Sequence, residues 1–125
     1  MARILLVDDD DQFRGMMETM LHRMGHDVVS ARSVGEALRE CGQHDLDLLI
    51  TDLIMPDRDG LELIRDLRRE GATLPILAMT GGGRTKPAMY QKMAASLGAQ
   101  RVLAKPFTFA ELTDAIAGAL QPQSG

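Results

Sequence analysis

The chain has 125 residues, 45% of them apolar and 26% charged, with one cysteine and a formal net charge of −4. That length is one domain's worth and can bury roughly two-thirds of the surface exposed by the unfolded chain, so folding needs neither a structural metal nor a disulfide. The acidic balance argues against a general nucleic-acid surface and direct DNA binding, and no apolar run nears the roughly 18 residues of a membrane span, so a cytoplasmic protein without membrane contact is expected.

The acids are not spread evenly: Asp8, Asp9, Asp10 and Asp11 form one run. It follows Ile4-Leu5-Leu6-Val7, a short and wholly apolar stretch that predicts a first strand covered on both faces. From Gln12 to Met24, Phe13, Met16, Met17, Met20, Leu21 and Met24 recur at helical spacing, and Gly25 suits the stop. Val28-Val29 marks a second strand. Ser33 with Glu36 reads as a capping box opening a helix that carries Val34, Ala37, Leu38 and Cys41.

Leu46 to Asp52 is a third strand that closes on an acid. Met55-Pro56-Asp57-Arg58-Asp59-Gly60 is turn chemistry, followed by a helix with Leu61, Ile64 and Leu67 inward. Pro75 to Met79 is a fourth strand stopping at Thr80. Gly81-Gly82-Gly83 predicts a mobile connection, and Pro87 opens a helix whose buried stripe is expected to be Met89, Met93, Ala94 and Leu97. Arg101 to Ala104 is a fifth strand, broken by Lys105-Pro106. Thr108 with Glu111 caps a last helix. Residues 1–121 then form one domain, and 122–125 read as a C-terminal tail or the start of a linker.

Five strands alternating with five helices predict a doubly wound parallel α/β sheet, in which ligands bind beyond the carboxyl ends of the strands. Asp8, Asp9, Asp52, Thr80 and Lys105 all fall on that edge. Clustered carboxylates repel, and a divalent cation is the natural relief. The ligands available are oxygens, which favours Mg²⁺ over zinc. A carboxylate beside Mg²⁺, with an ammonium and a hydroxyl converging on it, is equipped to receive a phosphoryl group.

Asp8-Asp9 after the first strand, Asp52 ahead of Met55-Pro56 and Asp59-Gly60, Thr80, and Lys105-Pro106-Phe107 together resemble the receiver domain of bacterial response regulators, over essentially the whole chain. The resemblance implies a (βα)5 sandwich with flavodoxin-like strand order 2-1-3-4-5. It implies that Asp52 accepts phosphate from a sensor histidine kinase, a phosphotransfer protein or a small phosphodonor. Asp9 would bind Mg²⁺ directly, Asp8 through water, and Asp52 and the Ile54 backbone carbonyl would complete the protein ligands. Lys105 would pair with the phosphate. Thr80 would swing towards it and change the surface of the fourth helix, fifth strand and fifth helix, the face read by a downstream protein and compatible with a phosphorylation-linked homodimer. Such a module catalyses only its own phosphorylation and dephosphorylation.

Two features depart from the family pattern. Val102 stands where many receivers carry a switching Tyr or Phe, and the 25 positions between Thr80 and Lys105 exceed the usual number by a few. Other readings fare worse. A phosphatase with an aspartyl-phosphate intermediate needs an acid at position 54, which is Ile. A flavin site needs aromatic residues, and the chain has one Tyr and no Trp. The Gly81–Gly83 run lacks P-loop spacing, and His22 and His26 flank the glycine that ends their helix. A degenerate receiver that only binds proteins would not be expected to keep all five site residues.

Overall fold

The computed structural model describes residues 1–56, 58–81 and 87–121. Its elements in chain order are β1 (Arg3–Val7), α1 (Asp11–Arg23), β2 (Asp27–Ala31), α2 (Val34–Gln43), β3 (Leu48–Asp52), α3 (Gly60–Arg69), β4 (Ile76–Thr80), α4 (Pro87–Leu97), β5 (Arg101–Ala104) and α5 (Phe109–Leu120). The strands form one parallel sheet in the order β2-β1-β3-β4-β5, as the sequence predicts. Asp57, most of the glycine connection expected to be mobile and the tail lie outside the described residues.

Period-two alternation along the strands divides the core into two layers. Ile4, Leu6, Leu48, Ile50, Leu77 and Met79 point to one face, where Met17 and Leu21 of α1 and Leu112 and Ile116 of α5 cover them. Leu5, Val7, Leu49, Ile76 and Ala78 point to the other, against Ala37 of α2, Leu63 and Ile64 of α3 and Ala94 of α4. Both faces of β1, β3 and β4 are therefore dry, which is why those strands read as unbroken apolar runs. Each fully buried Leu or Ile contributes roughly 1.5–3 kcal/mol relative to exposure.

The helix starts are set by side-chain caps. Asp10 accepts from the Gln12 and Phe13 amides, Asp59 from Glu62, and Thr108 with Glu111 forms a complete capping box. At α2 the box is altered: Ser33 accepts from the Glu36 amide, but the Glu36 carboxylate reaches past the cap to the Arg32 amide at 2.8 Å. In α4, Ala94 and Leu97 face the core as expected, joined by Tyr90, whereas Met89 and Met93 are exposed. Met89 and Tyr90 lie about 100° apart on one helix, and only the sheet beneath decides between them.

Gly60 fixes where α3 meets β3. Its amide donates to the Leu53 carbonyl at 2.8 Å, and a Cβ built there would overlap the Asp52 carbonyl oxygen and lie 2.9 Å from the Leu53 Cα. Backbone cannot yield as a flexible side chain would, so Gly60→Ala is expected to cost about 1–3 kcal/mol in urea denaturation. Gly15, which meets nothing within 4 Å on α1, is the control. Gly15→Ala should instead stabilise by about 0.5–1 kcal/mol.

Candidate functional site

Strand register sets the carboxyl edge before any side chain is considered. Val7 pairs with Thr51, Asp52 with Met79 and Thr80 with Ala104, so the next residues on β1 and β5, Asp8 and Lys105, emerge beside Asp52 and Thr80. Between β1 and β3 the strand order reverses direction, and the crevice this opens holds the acids. Every residue singled out from the sequence is at this edge.

Asp8, Asp9 and Asp52 each offer a carboxylate oxygen, and these oxygens lie within 4.8 Å of one another. Asp8 is fully buried, Asp52 is 8% exposed and Asp9 faces solvent, so the cluster is a pit with an open mouth. The Lys105 ammonium donates to Asp8 Oδ2 at 3.0 Å and to Asp52 Oδ2 at 3.4 Å. Asp8 Oδ1 accepts from the Asp10 amide at 2.9 Å, and Asp52 Oδ1 from the Ile54 amide at 3.4 Å. Thr80 Oγ1 is buried and has no hydrogen-bond partner among the described residues. Asp10 and Asp11 are not part of the cluster: Asp10 caps α1 and Asp11 pairs with Arg14 at 2.6 Å.

Charge is poorly balanced in this pit. Burial raises Asp52 above the usual carboxylate range, Lys105 opposes the rise, and Asp8 adds to it. One lysine therefore falls short of neutralising the buried acids, and the donor set that remains, three carboxylates with no nitrogen or sulfur ligand, suits a hard cation such as Mg²⁺. The residues present fit that ion.

Three residues that the sequence does not single out also shape the site. Gly60 anchors the loop after Asp52. Arg14 donates to the Asp8 carbonyl at 2.8 Å and steadies the end of β1. Phe13, read as core, is half-buried with its ring beneath Lys105. Of the histidine pair, His26 accepts from the Ala2 amide through Nδ1 at 3.0 Å. A cavity of about 460 Å³ lies at the opposite edge among Cys41, His44, Leu67 and Pro75, away from this cluster.

The family model for the response regulator receiver domain matches residues 4–117. This chain belongs to the response regulator receiver family. The receiver is 39% identical over 109 residues to the protein PetR of Rhodobacter capsulatus, covering 87% of this chain and 44% of that protein. It is 35% identical over 123 residues to the two-component response regulator PhoP of Pseudomonas aeruginosa, covering 98% and 53%. A putative response regulator from Chloroflexus aurantiacus has the same fold at a TM-score of 0.86 and 35% identity, covering 95% of this chain and 97% of that one. The chain spans about half the length of these two curated relatives. The receiver is a signalling module of the two-component type, and no helix among its described residues is long and apolar enough to cross a membrane.

Because ionised Asp52 binds its proton more tightly folded than unfolded, its charge destabilises the fold above the folded-state pKa. That penalty is relieved as pH falls through the folded value towards the unfolded one. Asp52→Asn removes it, so without divalent cation the variant should melt a few degrees higher than wild type near pH 7. The gap should narrow on acidification, as thermal unfolding at a series of pH values would read.

Proposed function

We propose that Asp52 is the phosphoacceptor of this receiver. An Asp52 oxygen attacks the phosphorus of a phosphohistidine or acyl phosphate, a P–O bond forms, and the donor's P–N or P–O bond breaks to release imidazole or carboxylate. The observation that carries the reading is the convergence of Lys105, Asp8 and Asp9 on one buried carboxylate, at the strand edge where the buried Thr80 hydroxyl has no partner among the described residues. A buried hydroxyl without a partner costs about 1–3 kcal/mol, and an acceptor oxygen arriving on Asp52 would recover it.

Mg²⁺ would be held by Asp9 and Asp52 directly, with the Ile54 carbonyl, and by Asp8 through water. Both Asp8 oxygens are already engaged, one by the Asp10 amide and one by Lys105, which favours the indirect role. When bound, the ion supplies positive charge against the transferring oxygens. Lys105, already between two carboxylates, supplies the second cation and is the group that can follow the phosphoryl oxygens.

The partners are a sensor histidine kinase or phosphotransfer protein upstream and a protein target downstream, with the domain acting in the cytoplasm and making no DNA contact of its own. Engagement of Thr80 would pull the end of β4 and re-aim α4, β5 and α5. Met89, Met93 and Phe109 are exposed on α4 and α5, and Val102 packs against the same core layer as Tyr90, which joins β5 to α4 without an aromatic on β5. This face is the output surface, and a homodimer formed on phosphorylation would use it.

Intact mass after incubation with acetyl phosphate tests donor, metal and acceptor together. One added phosphoryl group should appear with Mg²⁺ and vanish with chelator. Asp52→Asn should gain none. Asp9→Asn should react at least about tenfold more slowly at the same Mg²⁺.

A further inference from the structure

Lys105 sits on an aromatic face as well as between carboxylates. Its Nζ is 4.0 Å from the centroid of the Phe13 ring, and the Phe107 ring meets that ring edge-on, 6.0 Å between centroids and 86° between planes. We propose that Phe13 is a positioning residue for phosphoryl transfer, its ring face holding the Lys105 ammonium within reach of Asp52. This rests on the reading of Asp52 as acceptor.

Three observations lead there. Lysine is a long chain with four rotatable bonds, and a single ion pair leaves it many ways to satisfy its charge. In this site the stronger partner is the wrong one: Asp8, at 3.0 Å, draws the ammonium towards β1, whereas the transferring oxygens arrive on Asp52, at 3.4 Å. A ring under the ammonium gives a third attraction that favours neither carboxylate and confines the head group to the space between them.

The ring itself is fixed. Phe13 lies in the first turn of α1, its amide bonded to the Asp10 cap at 3.1 Å, and Asp10 in turn donates its amide to Asp8. Phe107, two residues beyond Lys105 in the connection from β5 to α5, closes the arrangement from the other side. The spacing from the acids to Phe13 and from Lys105 to Phe107 thus builds one unit from both ends of the chain.

The test compares Phe13→Leu, which keeps an apolar side chain and removes the ring face, with Phe13→Tyr, which keeps the face. In wild type the Lys105 ε-methylene protons, identified by their loss in Lys105→Met, should resonate upfield of the other lysines through the ring current. In Phe13→Leu that shift should disappear. The rate of phosphoryl gain from acetyl phosphate at saturating Mg²⁺ should fall about five- to tenfold, the size of one partly desolvated cation–aromatic contact. Phe13→Tyr should restore both. A small phosphodonor keeps any kinase contact with α1 out of the measurement, and thermal melts check that each variant is folded. An unshifted Lys105 signal in wild type overturns the proposal, as does a normal rate in Phe13→Leu or a folded Phe13→Tyr that rescues neither readout. Failure of the acceptor reading is distinct: wild type itself would gain no phosphate, which overturns the catalytic role of Phe13 with it.

Discussion

Two carboxylates buried side by side would not persist in an apolar core, and this fold is organised around making that arrangement tolerable. Asp8 has no exposure and Asp52 almost none, yet among the described residues one lysine, two backbone amides and an open mouth at Asp9 are what stabilise them. The scaffold must hold the pair together against their repulsion. It does so through β1 and β3, whose dry faces and fixed register leave neither strand free to slide without moving an entire layer of side chains out of the core. The charge imbalance left in the site is what a divalent cation can relieve.

The same logic explains why the edge is built from strand ends. Register brings Asp52, Thr80 and Lys105 to adjacent positions on β3, β4 and β5, a separation too small for independent motion. Thr80 is the last residue of β4, and the Lys105 amide donates to its carbonyl at 2.7 Å. A new bond at the Thr80 hydroxyl therefore acts on backbone shared by two strands. The strands cannot move far within a packed sheet, so in the proposed role of Thr80 the displacement would pass to α4 and α5, whose outer faces carry exposed methionines and a phenylalanine.

What could be read from the sequence follows from which interactions are local. Strand runs, the Thr108 cap and the ends of β5 depend on neighbours within a few residues, and those readings match the structure. The grouping at the carboxyl edge was legible because three aspartates, a threonine and a lysine each stand at or just past the end of an apolar strand, a coincidence of position that chemistry alone does not produce. The buried stripe of α4 was only half legible: Ala94 and Leu97 do face inward, but Met89 and Met93 are at least as apolar as Tyr90, and the side that faces inward is chosen by the sheet and by α3. Gly60 looked like turn punctuation, and its real constraint is the β3 backbone that closes over it, seven residues away from Leu53.

Phe13 illustrates the remaining limit. Its place in a stripe with Met17 and Leu21 is sound, since it does pack against that core layer. But a residue in the first turn of a helix stands at the rim of the core rather than its centre, and a rim aromatic next to a strand-end acid can face a cation brought from far along the chain. Lys105 is 97 residues from Asp8, and only parallel pairing through β3 and β4 makes them neighbours. Hydrophobic periodicity reports which side of a helix is dry. It does not report that the last position on that side, where the dry face meets the charged edge, serves both at once.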